Sequence, residues 1–325
     1  TIEDMIATAS AMGIKGWDDP SRYGLSLTLG GGEVTMLEMA TAFGTFANLG
    51  IKIPLQPILK VEDSQGHILD EYQPPHDSNP AIPSEVAYLI SHILQDNTAR
   101  SSSFGSTSEL VIRNQIVSVK TGTTNDLRDN WTIGYTPDFV VAVWVGNNDN
   151  TPMSYIASGI TGAAPIWHDL MAHLLADHPA VWPAKPESIV SLQVCTISGL
   201  LPGPDRPCDT RPELFITGTQ PTEINNTTRG IWINKDTNLP AFTSAVPIDQ
   251  VDTSNLELRE HTVLSDPLIK DFCYSCPWLA ELNEDGTPKE GGKISYPQQV
   301  IDMSTFYGEP VEFQLPSPPP PSPTQ

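Results

Sequence analysis

The sequence predicts an α+β protein in which helices pack on an antiparallel sheet, followed by a small, loop-rich β module. Three observations carry that prediction. Residues 1–13, 34–48, 84–95 and 164–176 place apolar side chains at helical spacing. Residues 115–119, 130–134 and 139–146 are rich in β-branched and aromatic residues and lie between polar turns. Beyond the proline-rich stretch 178–188 the apolar pieces become short and sit among Pro, Asn, Asp and Gly. At 325 residues, with 39% hydrophobic and 7% aromatic content, the chain is long enough for two domains with packed cores. The expected organisation is a domain over 1–178, a linker over 179–190, the β module over 191–313 and a solvated proline-rich tail over 314–325.

Each element has a local reason. In the first helix Ile2, Met5, Ile6 and Ala9 form the apolar face, Thr1 and Asp4 form a capping pair, and Gly13 is the stop. The helix at 34–48 opens with the capping box Thr35 and Glu38 and ends before Gly50, with Leu37, Ala40, Thr41 and Gly44 as a face for close packing. Residues 58–72 read as a hairpin turning at Ser64, Gln65 and Gly66. Ser84 is expected to cap a helix running to Gln95, with Val86, Leu89, Ile90, Ile93 and Leu94 inward. Residues 101–109, SSSFGSTSE, read as a polar loop placed to border a cleft. Gln115 to Val119 alternate polar and apolar at period two, as in a half-buried strand. Two further strands turn at Tyr135, Thr136, Pro137 and Asp138, completing an antiparallel meander. The helix at 164–176 has Pro165 in its first turn and a stripe of Ile166, Leu170 and Leu174 to cover that sheet. In the β module, 214–217 and 231–234 are the clearest strand pieces.

The chemistry centres on the run Lys120-Thr121-Gly122-Thr123, read as the end of the strand at 115–119. Glycine there lets a substrate backbone approach, the threonines offer hydroxyl donors, and the lysine places a cation nearby. That set suits a carboxylate and a developing oxyanion. A lone Lys-Thr-Gly triplet is common at strand ends and turns, so the neighbours decide its meaning. Residues 119–149, VKTGTTNDLRDNWTIGYTPDFVVAVWVGNND, resemble the transpeptidase domain of class A penicillin-binding proteins. Residues 23–50, YGLSLTLGGGEVTMLEMATAFGTFANLG, resemble the segment joining that family's S-x-N motif to its K-T-G strand. Residues 158–175 resemble the last helix of the domain, and 194–221 the carboxy-terminal extension of some class A members.

The resemblance implies the serine-penicillin-recognising, β-lactamase-like α+β fold over 1–178, in part. It implies peptidoglycan cross-linking by D,D-transpeptidation, with stem peptides as substrates and β-lactams as inhibitors. By the same carry-over, Lys120 supports the proton network, Thr121, Gly122 and Thr123 bind substrate, and the Thr123 backbone N–H serves the oxyanion. The pattern is incomplete. The residues three positions before the nine lysines are Met12, Leu49, Pro57, Val117, Trp182, Trp232, Pro267, Gly286 and Glu290, so S-x-x-K is absent, and S-x-N is absent as well. The expectation is a carboxy-terminal fragment whose nucleophile lies upstream of Thr1, inactive by itself. A glycosyltransferase half and a membrane anchor are expected upstream too, on the extracytoplasmic side of a bacterial membrane. The alternatives are a β-lactamase or D,D-carboxypeptidase of the same superfamily, and a non-catalytic scaffold that binds cell wall.

Composition narrows the partners. Seventeen basic against thirty-nine acidic side chains give a net charge of −22, which excludes a basic surface for nucleic acid or anionic lipid. No run approaches the roughly 18 apolar residues of a spanning helix, so the chain is expected to be soluble. No cofactor or metal is expected. Cys195, Cys208, Cys273 and Cys276 are candidates for disulfides, an even set in loop-rich sequence, with a zinc site on the four thiolates as the rival. His168, His173 and His178 are five apart, which spreads them around a helix, and the N-x-T sequons at Asn225 and Asn226 imply only an exposed turn. Asp126, Asp129 and Asp149 read as turn and strand-end residues.

Overall fold

The computed structural model describes residues 1–73, 79–153, 160–204, 208–236, 238, 254–266, 270–273 and 275. The chain divides into two units, one of Thr1–Ser191 with Leu214–Thr219 and one of Leu192–Glu213 with the described residues from Gln220 onward. In chain order the elements of the first are α1 (Ile2–Met12), α2 (Met36–Ala47), β1 (Lys60–Glu62), β2 (Ile68–Glu71), α3 (Ser84–Gln95), α4 (Asn97–Phe104), β3 (Ser118–Thr123), β4 (Asp129–Tyr135), β5 (Val140–Gly146) and α5 (Ala163–Asp177). Two short 3-10 turns, Pro20–Arg22 and Leu25–Leu29, lie between α1 and α2.

The helix starts follow the local sequence. Thr1 and Asp4 form a complete capping box on α1, Gly13 ends that helix at φ +113°, and Thr35 and Glu38 form the second box on α2. The hairpin of β1 and β2 is antiparallel and turns through Gly66 at φ +84°. The central sheet has the order β3-β4-β5, all antiparallel, with Thr136 N–H donating to Phe139 O across the β4–β5 turn.

Period two divides that sheet into two faces. Val119, Val141 and Val143 point to α5, where they pack with Ala163, Ala164, Trp167, Met171 and Leu175 in the main core. The other face meets α2 and α3: Phe43 stands edge-on to Tyr135 at 6.0 Å, and Ser118 bonds to α3. Gly134 is the slot for Trp167, since a Cβ there would lie 2.4 Å from the indole.

Within the first unit, five expectations need correction. In α5 the inward stripe is Trp167, Met171 and Leu175, one position on from the one expected; Ile166 and Leu170 are each 49% exposed. Both stripes are apolar, and the Gly134 slot selects the one that carries Trp167. In α3 the buried residues are Ala87, Tyr88 and Ser91, while Ile93 is exposed; Pro83 rather than Ser84 is the N-cap. Ser91 turns inward because its hydroxyl is satisfied there. In α2, Leu37 is exposed while Ala42, Thr45 and Ala47 are buried, because the helix packs against α1, α3 and the sheet, an arc wider than one stripe. The first part of the loop expected at 101–109 is the end of α4, capped by Asp96, whose side chain accepts from Thr98 N and Ala99 N. Finally, the strand expected from 115 begins at Ser118, while Lys120 to Thr123 end it as expected.

Residues 178–188 carry no helix or strand, but Trp182 packs edge-on against Tyr88 and His178 against Phe139. Beyond them β6 (Ile189–Cys195) pairs with β7 (Thr210–Ile216), and β8 (Thr228–Asn234), β9 (Leu256–Asp266) and β10 (Lys270–Cys273) form an antiparallel sheet of order β10-β9-β8. Cys195 and Cys208 form a disulfide with Cα atoms 5.6 Å apart, which removes them from any four-thiolate zinc site. Closing so short a loop stabilises by about 2–4 kcal/mol. The Cys273 side chain and Cys276 lie outside the described residues, as does the tail. Asn225 is not in an exposed turn: it is buried, its side-chain oxygen accepting from Ser198 and Thr227.

The tightest backbone crossing follows α2. Gly50 sits at φ +94°, its carbonyl accepts from Ala81 N–H at 2.8 Å, and a Cβ there would lie 2.1 Å from Ile82 O. At Gly66 a Cβ meets nothing within 4 Å, so only the left-handed backbone opposes a side chain. Gly66→Ala is therefore expected to cost about 1 kcal/mol and Gly50→Ala about 2–5 kcal/mol in urea unfolding. Equal losses at the two sites would contradict this crossing.

Candidate functional site

The four residues of the Lys120 run share β3, and its hydrogen bonding fixes what each presents. In register, Lys120 faces Ile133, Thr121 faces Thr132, Gly122 faces Trp131 and Thr123 faces Asn130 on β4. Thr124 N–H donates to Asp129 O at 3.1 Å, so even-numbered positions aim their backbone groups at β4. Val119 O accepts from an Arg100 side chain instead, so odd-numbered positions aim outward. Among the described residues β3 pairs only with β4. The backbone groups of Val119, Thr121 and Thr123 therefore point to the edge of the strand away from β4.

Side chains complete that edge. Lys120 is exposed and shares a face with Ser118; its Nζ donates to Thr121 O at 2.7 Å. Thr121 and Gly122 are half-buried and Thr123 is exposed. A Cβ at Gly122 would make only an ordinary 3.6 Å contact with Trp131, so nothing among the described residues requires glycine there. The bare backbone leaves room for something outside it.

Buried polar bonds hold β3 in place. Ser118 Oγ donates to Ser91 O at 2.8 Å, and Ser91 Oγ shares a 2.8 Å bond with Tyr135 OH while reaching Ala87 O. Burial pushes the Tyr135 phenol above its ordinary value, against the opposite pull of its bonds with Ser91 and Ser118. Arg100, on α4, donates to Val119 O at 3.3 Å and to Leu94 O at 2.7 Å. Its desolvation lowers its value and the Asp96 charge raises it, but a guanidinium stays charged. Behind Thr123, Asn130 is fully buried and its Oδ1 accepts from Ala163 N–H at 2.9 Å at the start of α5.

The sequence alone did not pick out Arg100, Asn130, Ser91 or Tyr135. Asp96, a capping residue ahead of Arg100, was the available signal for α4. The carboxylates near the run are structural: Asp129 accepts from Trp144 Nε1, Asp149 is lowered by bonds from Thr151, and Asp126 lies 3.6 Å from Arg128. The three histidines do not converge. His168 sits between Glu109 and Asp169, His173 is exposed, and His178 lies past the helix end.

Comparison with known proteins gives this edge its context. The penicillin-binding protein transpeptidase domain model matches residues 10–172, half of the chain. The chain belongs to the penicillin-binding protein transpeptidase family. The model of the penicillin-binding protein 1A C-terminal domain matches residues 185–229. Among curated relatives, penicillin-binding protein 1A of Neisseria lactamica is 35% identical over 174 residues, covering 51% of this chain and 21% of its own length. That of Clostridium botulinum is 33% identical over 204 residues, covering 61% of this chain and 24% of its own length. This chain thus spans about a fifth to a quarter of those relatives. The crystal structure of Haemophilus influenzae penicillin-binding protein 1A superposes with a TM-score of 0.58 at 27% identity, over 69% of this chain and 38% of that one. The helices on an antiparallel sheet are thus the α+β fold of this transpeptidase family.

Removing the Tyr135 hydroxyl tests the bonding under β3. Tyr135→Phe leaves Ser91 its bond to Ala87 O, so it should lower urea stability by about 1 kcal/mol with an unchanged m-value. A loss near zero would show that the phenol contributes nothing to the strand's position.

Proposed function

We propose that this chain supplies the substrate-binding wall of a serine D,D-transpeptidase that cross-links peptidoglycan stem peptides. The observation that carries the reading is the edge of β3 away from β4, toward which the backbone groups of Val119, Thr121 and Thr123 are aimed with Lys120 beside them. An extended stem peptide adds to such an edge as one more strand. The terminal carboxylate of a D-Ala-D-Ala donor meets the Thr121 and Thr123 hydroxyls and the Lys120 charge, and Gly122 leaves space for its backbone. A serine Oγ attacks the carbonyl between the two D-alanines. The Thr123 backbone N–H, aimed outward by its place in the strand, stabilises the resulting oxyanion. The C–N bond breaks, terminal D-alanine leaves after gaining a proton, and an acyl ester remains on the serine. An amine of a neighbouring stem then attacks the ester, forming the cross-link and releasing the serine.

The serine and its S-x-x-K lysine are not among these 325 residues. In this reading they belong to a longer polypeptide of the same protein, with a glycosyltransferase half as in class A members, and this chain by itself is inert. The match of residues 185–229 to the 1A C-terminal model favours that reading over a β-lactamase or carboxypeptidase. The Cys195–Cys208 disulfide supports an extracytoplasmic site, and no helix among the described residues is long and apolar enough to cross a membrane.

A fluorescent penicillin separates the parts of this proposal. The chain alone should take no covalent label, and the longer polypeptide carrying the serine should be labelled. Within that polypeptide, Lys120→Met should slow labelling by about 100-fold or more, the range for losing a proton-transfer group. Label on the isolated chain, or full-rate labelling of the variant, would overturn the assignment.

A further inference from the structure

We propose that Arg100 is a specificity-determining positioning residue that sets the register in which a donor peptide pairs with β3. The inference rests on the reading of β3 as the donor-binding edge. An edge strand repeats its outward groups every second residue, so a peptide added there has a choice of registers about 6.8 Å apart that are equivalent for its backbone. Only one of them puts the scissile carbonyl at Thr123. The edge therefore needs something that rejects the register displaced toward its start.

Arg100 is placed to do this. Val119 O, the first outward carbonyl of β3, already accepts from the guanidinium, which is held at its other end by Leu94 O in the last turn of α3. A planar fork with two fixed acceptors is harder to displace than a lysine ammonium. Its delivery is rigid as well: Arg100 lies in the first half of α4, whose start is pinned by two backbone bonds to Asp96. A donor slipped by two residues would have to evict the guanidinium from Val119 O. A donor in register meets Thr121 and Thr123 and leaves Arg100 in place.

A mere brace between α3 and β3 would behave differently. Losing a brace weakens every reaction of the site alike. Losing a register stop spares small ligands that pair with little of the edge and penalises long ones, because slipped complexes bind without reacting.

The test uses the longer polypeptide carrying the serine, with a stem pentapeptide ending in D-Ala-D-Ala and a labelled penicillin as two probes. Arg100→Ala should lower kcat for the pentapeptide about tenfold or more while KM stays level or falls, and should change penicillin acylation less than about twofold. Arg100→Lys, which can still donate to Val119 O, should recover part of the pentapeptide rate. Equal losses on both probes, a raised KM with unchanged kcat, or no change on either would overturn the proposal. If Arg100→Ala loses its thermal transition, Arg100→Gln and Arg100→Lys are judged by the same ratio of the two probes. A wild-type protein that penicillin does not acylate would instead overturn the transpeptidase reading on which this one stands.

Discussion

A strand has two hydrogen-bonding edges, and among the described residues β3 pairs with a neighbouring strand along one of them. Even positions bond to β4, so odd positions have to look outward, and every chemical property of the Lys120 run follows from that alternation. Thr121 and Thr123 share a direction because they are two residues apart. Lys120, before them, and Gly122, between them, share the opposite one. The rest of the first unit keeps that strand still: α5 seals one face with Trp167, and Ser91, Ser118 and Tyr135 tie the other face to α3.

The two kinds of bonding contribute differently. Apolar packing under α5 is non-directional and sets how firmly the sheet is held, whereas the buried hydroxyl bonds are directional and set where β3 lies along α3. Asn130 joins the two, because it is a neighbour of Thr123 in the sheet and also satisfies a backbone N–H at the start of α5. The Thr123 end of the strand is thus fixed from behind by α5.

What was legible in the sequence was what is local. The capping boxes at Thr1 and Thr35, the turn at Gly66 and the turn at Tyr135 need only residues a few positions apart, and the structure has each of them. The inward faces of α3 and α5 were legible only in part, since each helix carries two plausible apolar stripes and the choice depends on Gly134 or Ser118 far along the chain. Helix α4 was hidden because NTARSSSF has no apolar period, and with it went Arg100. The Lys120 run was read as the end of a strand, as it is, but which of its backbone groups face away from β4 required the pairing register, a non-local fact.

The open edge also bears on how copies of this chain meet. An unpaired strand edge invites a second molecule to continue the sheet, and folds commonly suppress this by covering or charging the edge. Here the formal charge of −22 makes every such encounter repulsive at long range, while the cations at Lys120 and Arg100 already occupy two of the outward carbonyls. The acidity of the chain therefore acts as a colloidal guard on that edge, and it weakens as salt shortens the range of the repulsion.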